Sequence, residues 1–580
     1  MGFRVEETDV LIVGSEAAGA RAAIEACDLG AKVIVITKSV MGKSGVTLKA
    51  VFSVAAALGY GDPEDSPLEH LKDTVIGGRL LCNQKLAHIF TKEAPERILD
   101  MGKWGVPWDK ASDGRYRQIK MYGHSKARSL SVGFKVGVEW ISAYRREFKK
   151  REGIGVKNDV YAAELVKNSD GRVAGAVCYD IKTGEVFIIQ AKAVIVATGG
   201  PLYLYGNNSG TPECTGDGIA LGLRAGATVV DMEFVQFFPL GLIIPKALFG
   251  DEGITSLART WLRAHLYNYM GERFMTRYDP EHMELADRDV LSRAVYQEII
   301  EGRGTPNGGV WLDCSYLADK IIETVVADMA PGWKLRGIDL LGLGLDLRKE
   351  PMEVAPVVHF HCGGLSVDEN WATGVPGLFA CGEAVGGIHG ANRLPGGAFG
   401  ETQVGGVRAA RKAVEEANGL SVSKLDTAVA SDLQSRIETI SKRTKGLKSF
   451  EIRKSIQDVM WEKVGIIRNR QGLDEALALL DKTLSEDVPG QCVEMKGNIY
   501  NRQLLEAMEV ENMALVAKTI CLSAAARNES RGNHYRSDHP ELDNDNWLKN
   551  IYIKTAGGVQ VEEKPVVVTE IPLEDLTKGK

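Results

Sequence analysis

The chain has 580 residues, too many for one hydrophobic core, so roughly three to five domains are expected. Apolar residues make up 44% and charged residues 25%, a balance that excludes long disorder, collagen-like repeats and a disulfide scaffold. The net charge of −7 is spread along the chain with no long basic run, so no nucleic acid is expected as a partner.

In chain order, Glu6, Glu7 and Asp9 precede an apolar strand, without the basic-then-apolar pattern of a signal peptide. Val10–Val13 reads as a buried parallel strand, Gly14–Gly19 as a tight turn, Ala20–Leu29 as an alanine-rich helix and Lys32–Thr37 as a second strand. Ala193–Gly200 and Gly377–Glu383 are two further apolar strands ending in glycine, and all three glycine-ended strands belong on one doubly wound sheet. Residues 226–352, richer in Trp, Tyr and charge, read as a domain inserted into the dinucleotide-binding one. From about Lys424 the spacing is helical, over Leu433–Lys442, Ile452–Val464, Gly472–Leu484 and Asn501–Glu529, and after Asn546 a strand within Gln560–Thr569 and a polar tail are expected. The nine cysteines are scattered with no CxxC pair, which argues against zinc or iron–sulfur ligation and for a reducing compartment. No apolar run approaches the roughly 20 residues of a membrane helix, so the expectation is a soluble, cytoplasmic protein without direct membrane insertion.

The turn Gly14-Ser15-Glu16-Ala17-Ala18-Gly19 carries the first chemistry. Its first glycine permits the turn, its last lets helix and strand pack closely, and the helix N-terminus offers N–H groups to a pyrophosphate. Two features depart from the usual pattern. Glu16 stands at the middle glycine, where a carboxylate must point outward or bond a ribose, and Lys38 replaces the acid that ends the second strand.

Further segments follow in order: Thr37-Lys38, Ala197-Thr198-Gly199-Gly200, Thr215-Gly216-Asp217-Gly218, Gly382-Glu383, His389-Gly390-Ala391-Asn392-Arg393 and Glu529-Ser530-Arg531-Gly532-Asn533-His534. From about Asp9 to Ile553 the chain resembles the flavoprotein subunits of succinate dehydrogenase and fumarate reductase, and L-aspartate oxidase. The resemblance implies an α/β fold, with a Rossmann-like FAD-binding domain (1–225 and 353–423), an inserted α+β capping domain (226–352), a helical domain (424–545) and a C-terminal strand and tail (546–580). By motif, Gly14, Gly19, Lys38, Asp217 and Glu383 should contact FAD. Ser15, Ala18, Thr37, Ser44, Gly45, Ala162, Thr198, Gly199, Ala398 and Phe399 complete the expected cofactor set. The stretch matching the family's flavin-linking histidine is Lys43-Ser44-Gly45-Val46-Thr47, which has no histidine, so FAD should be held non-covalently.

The resemblance also implies a reaction centre. Arg288, in Asp287-Arg288-Asp289-Val290-Leu291-Ser292-Arg293, matches the proton-transfer arginine, while His359 and Arg393 match the substrate-carboxylate ligands. A guanidinium grips a carboxylate through two parallel hydrogen bonds. Other positions differ. The family's Gln-Phe-His-Pro-Thr-Gly reads Gln236-Phe237-Phe238-Pro239-Leu240-Gly241, and its relay glutamate and arginine fall at Ala247 and Gly250. A second carboxylate buried against apolar groups would go unpaired, so Phe238 and Leu240 are expected to face an apolar remainder, and plain succinate or fumarate is not the expected substrate. Lys246, Asp251 or Glu252 could replace the relay. Gly123-His124-Ser125 and Arg128 resemble a stretch of aspartate-oxidase-like members without selecting aspartate.

The resulting expectation is an FAD-dependent oxidoreductase subunit that interconverts a saturated and an α,β-unsaturated carboxylate or acyl derivative. It would exchange electrons with a separate iron–sulfur protein and be peripheral to a membrane only through partners. The alternatives are a stand-alone fumarate reductase or L-aspartate oxidase, and a non-catalytic flavin electron-transfer module.

Overall fold

The structure, a computed structural model, describes residues 2–133, 135–335, 337–421 and 425–577. The expected boundary at Lys424 lies outside these.

The N-terminal apolar run forms the strand Val5–Val13 at the centre of a seven-stranded sheet. It pairs in parallel with Val33–Thr37 on one side and Val186–Val196 on the other, in register from Val5 opposite Ile188 to Val13 opposite Val196. Ile154–Asn158 extends the parallel part on the Val33–Thr37 side, and Leu378–Ala380 pairs in parallel with Val186–Val196. The three glycine-ended strands therefore lie side by side. An antiparallel meander, Val160–Lys167 and Val173–Asp180, continues the sheet from Val186–Val196. The residues of the central strand from Val10 to Val13 are buried, as a strand covered on both faces must be. The first helix, Ala17–Asp28, begins earlier than its alanine run suggests, because the chain turns into helix directly after Glu16, and it packs on the glycine-rich helix Gly397–Ala417.

The cap is built on a four-stranded antiparallel sheet, ordered Val235–Leu242, Met352–His361, Val310–Asp313 and His265–Tyr267. Its separate apolar core runs from Phe238 to Val357 and encloses Leu240, Leu266, Leu291 and Val354. The helices Ser449–Val464 and Arg470–Lys482 pack against the long helix Arg502–Ala526, with Ala428–Lys442 beside them. Side chains set where two of these begin: Asn469 accepts from the Gly472 N–H at 2.8 Å, and Asn501 from the N–H groups of Gln503 and Leu504 at 3.1 Å. At the C-terminus Lys549–Lys554 and Gln560–Pro565 form a hairpin joined to Val229–Val230. No helix among the described residues is long and apolar enough to cross a membrane.

Asn501 is buried and also donates to the carbonyls of Met495 and Gly497 at 2.8 and 2.6 Å. Asn501→Ala should lower stability by about 1–2 kcal/mol, read as a lower urea midpoint in far-ultraviolet circular dichroism with an unchanged slope.

Candidate active site

The glycine turn closes on the sheet. Gly14 has a φ of 113°, and a Cβ there would lie 2.2 Å from the Ala197 carbonyl oxygen; a Cβ on Gly19 would lie 2.0 Å from the Gly14 carbonyl oxygen. This close approach puts the first residues of helix Ala17–Asp28 on the wall of a cavity of about 950 Å³. Gly14, Ser15, Ala18, Thr37, Lys38 and Ser44 line it, together with Gly45, Ala162, Thr198, Gly199, Asp217 and Glu383. Gly19 is not part of the wall, because it is packed beneath Gly14. Ala398 and Phe399 line a second cavity of about 1410 Å³, which meets the first at Ala17, Val46, Thr47, Glu383 and Thr402.

Glu16 lies over Gly45 in this cleft, and its Oε2 is buried without a partner. Burial pushes its carboxyl up to about 7, helped by the charge of Glu213. A carboxyl poised there can bond a hydroxyl without carrying a full charge beside a diphosphate. Lys38 has a different task from the acid it replaces. Its ammonium bonds Thr215, Asp217 and Glu509, each at 2.6 Å. Burial pulls this ammonium down, but the charges of Asp217 and Glu509 outweigh it and raise it. One cation cannot balance two buried acids. Burial raises Asp217 too, but Lys38 outweighs that and holds it low, whereas burial leaves Glu509 pushed up to about 7. Asp217 also accepts from Asn512 at 2.8 Å, so the helical domain closes the cleft floor. Glu383 stands where the cavities meet. Its Oε1 accepts the His361 N–H at 2.9 Å, and burial pushes it up to about 7. Narrow glycine backbone, a helix N-terminus and unpartnered acceptors at Glu16 and Glu213 fit a dinucleotide with ribose hydroxyls and phosphates.

Arg288, His359 and Arg393 all line the second cavity. Arg288 is the first residue of helix Arg288–Glu298. Its acidic neighbours do not take it: Asp287 and Asp289 pair with Arg79 at 3.1 and 3.7 Å, and Asp289 also with Arg293 at 3.5 Å. Arg288 instead lies over the rings of Tyr122 and Phe238, at 5.3 and 5.4 Å, and its Nε is buried without a partner. Arg393 lies over Phe360 at 4.5 Å and its Nε is likewise unpartnered. Burial, followed by repulsion from Arg288, brings Arg393 down to about 10. Gln236 connects the two. Its amide donates to the Arg393 carbonyl at 2.9 Å, and its oxygen is 3.4 Å from Arg288 Nη1. Arg259 donates to the carbonyls of Glu284 and Ala286 at 2.5 and 2.6 Å and so fixes the turn before Arg288.

Some expected residues stand elsewhere. Phe238 is behind Arg288 and His359, 5.8 Å from the imidazole centroid, and Leu240 is fully buried in the cap core; neither forms the cavity wall. Along the strand Val235–Leu242 they belong to the cap's own packing. Both ring nitrogens of His361 meet carbonyls, of Gly363 and Met232, at 2.8 and 3.1 Å. His124 bonds the Pro395 carbonyl and Arg128 is enclosed by Asp65 and Asp73, so that stretch is structural. Gly250 has a φ of 74°, and a Cβ there would lie 2.4 Å from the Asn208 carbonyl oxygen, so no arginine could project from it. Sequence reasoning assigns no role to Lys49, Tyr122, Gln236 or Arg259. Only Gln236 carries a signal, as the unchanged first residue of an otherwise altered motif.

Residues 9–398 match the family model described as an FAD binding domain, and residues 453–577 the one described as fumarate reductase flavoprotein C-term. The chain is 40% identical over 553 residues to an uncharacterised FAD-dependent oxidoreductase of Methanocaldococcus jannaschii, covering 94% of this chain and 96% of the relative. It is 39% identical to a subunit of the fumarate reductase (CoM/CoB) of Methanothermobacter marburgensis, covering 95% and 98%. Among solved structures, a variant of the E. coli quinol fumarate reductase chain FrdA superposes with a TM-score of 0.89 at 29% identity, covering 98% of each chain.

Lys38→Met should leave two acids buried without their shared cation and cost about 3–5 kcal/mol, whereas Glu509→Gln, at the acid already pushed up, should cost much less. Urea titration of both flavin-free variants checks the ranking.

Proposed function

The chain belongs to the fumarate reductase and succinate dehydrogenase flavoprotein family and is an FAD-dependent oxidoreductase acting on CH–CH groups; from that premise we propose that it interconverts a saturated acid and its α,β-unsaturated counterpart. The observation that carries this reading is the convergence of Arg288, His359 and Arg393 on one cavity that opens into the cofactor cleft. FAD, when bound, supplies and accepts the hydride. Arg393 holds the substrate carboxylate by parallel charge-assisted bonds, with His359 as a second ligand. Arg288 exchanges the proton at the neighbouring carbon. Arginine is a poor acid near neutral pH, so this role requires water to be excluded and other cations to stand close. Phe238 covers one face of the guanidinium, and Arg393 in the same cavity supplies the neighbouring cation.

The rest of the cavity wall is mostly apolar, with Val51, Phe52, Met121 and Trp261, and Phe52 stacks on Trp261 at 6.1 Å. That wall suits a substrate with one carboxylate and an apolar remainder. Fumarate is the second reading, favoured by Lys49, which lines the same cavity and donates to the Ser209 and Gly210 carbonyls at 2.7 and 3.0 Å. Among the described residues no group of acids, histidines and cysteines could hold a metal, and all nine cysteines are free. We place the electron partner on a separate iron–sulfur protein. Ser44 to Thr47 line the cleft without a histidine, which supports non-covalent FAD.

Anaerobically reduced holoprotein should recover its flavin absorbance with crotonate. Recovery with fumarate alone would select the second reading, and recovery with no unsaturated acid would remove the function. Arg288→Ala should lower kcat by about 10²–10⁴-fold with little change in KM; unaltered turnover would take the proton role from Arg288. Acid precipitation should release all of the flavin into the supernatant.

A further inference from the structure

Glu252 and His359 face each other in the wall of the substrate cavity. Glu252 Oε2 lies 3.1 Å from His359 Nδ1, and Ser209 Oγ lies 3.0 Å from the same nitrogen. His359 Nε2 makes no hydrogen bond to the described residues. Burial, reinforced by the charges of Arg393, Arg288 and Lys49, holds the imidazole well below its ordinary range, so it is neutral and carries a single N–H.

The position of that proton decides what the histidine can do. A ligand for a carboxylate must present an N–H, so Nε2 must be protonated and Nδ1 must accept. An ionised Glu252 can only accept; it draws the proton to Nδ1 and leaves a lone pair facing the cavity. A protonated Glu252 donates to Nδ1 and directs Nε2–H at the substrate. It also removes a negative charge from beside the incoming carboxylate. We propose that Glu252 is a positioning residue that sets the tautomer of His359, and that the cavity accepts a carboxylate with Glu252 in its protonated form.

The groups facing Glu252 act in both directions. Burial raises its carboxyl and Asp251 adds to this, while Arg288, Arg393 and Lys49 pull it down; the balance lies above the ordinary carboxylate range. The sign follows. The Nε2–H form prevails at low pH and gives way as pH rises through the titration of Glu252. This inference rests on the carboxylate role of His359 proposed above.

Oxidised holoprotein labelled with 15N-histidine provides a readout independent of turnover. In magic-angle-spinning spectra, with His359 assigned by its loss in His359→Asn, the wild type should pass from Nε2–H at the acid end of its stable range to Nδ1–H at the alkaline end. Glu252→Gln, whose amide can donate to Nδ1 at every pH, should show no switch. A single tautomer throughout in the wild type, or a switch retained in Glu252→Gln, would overturn the proposal. In turnover, the wild-type KM should rise by up to about tenfold per pH unit above the titration, and Glu252→Gln should lack that rise. A kcat that collapses at every pH in the variant, with KM unaltered, would instead make Glu252 a proton conduit and the positioning role would be wrong. A wild type that turns over no carboxylate counts against the function proposed above, whereas the tautomer switch is decided by its own spectrum.

Discussion

The site depends on the amide of Gln236. Its nitrogen donates to Asn392 and to the Arg393 carbonyl, and its oxygen faces Arg288. One neutral side chain therefore joins the cap, which carries Arg288, to the loop that carries Arg393. Two guanidinium groups in one cavity repel each other. An uncharged bridge that is both donor and acceptor holds them in place without cancelling the charge that a substrate carboxylate would meet.

The approach to Gln236 is fixed by a denser set of charges. Glu233, three residues earlier and fully buried, receives hydrogen bonds from Ser523 and from Arg527, the latter at 2.6 Å, while Arg468 donates to its carbonyl. Arg527 also pairs with Glu529, which pairs in turn with Arg531. The Glu529–His534 motif thus anchors the entry to the strand that carries Gln236. Buried ion pairs of this kind contribute little net stability, because desolvation offsets attraction, but breaking one is costly. Their effect is to define one placement of the strand relative to the helical domain.

Much of this architecture is legible in the sequence because it obeys local rules. Apolar strands ending in glycine, a turn with glycine at both ends and helical spacing near the C-terminus all arise from backbone sterics and burial. Arg288, His359 and Arg393 emerge through motif resemblance, and they do share a cavity. The remainder is not local. Nothing near Lys38 announces that its partner is Glu509, and the step from histidine to Phe238 suggests an apolar cavity wall when the ring sits one layer behind it. Lys49 enters the cavity from a short helical turn whose sequence carries no motif. Gly250 reads as a lost arginine, but its backbone conformation leaves no room for a side chain at this position.

The pairing of Val5–Val13 with Val186–Val196 has a consequence for biogenesis. At a synthesis rate of about 5–20 residues per second, the first strand waits roughly ten seconds or more before its long parallel partner exists. Leu378–Ala380, Glu509 and Asn512 arrive later still. The chain must close large loops before non-local contacts reward it, so a slow, topology-limited step is built into its folding. The cofactor cleft, lined by segments from Val13 to Thr402 and backed at Lys38 and Asp217 by the long helix Arg502–Ala526, is completed only when most of the polypeptide has left the ribosome. A truncated product lacking Arg502–Ala526 would keep the nucleotide-binding turn but lose Glu509 and Asn512, the partners of Lys38 and Asp217.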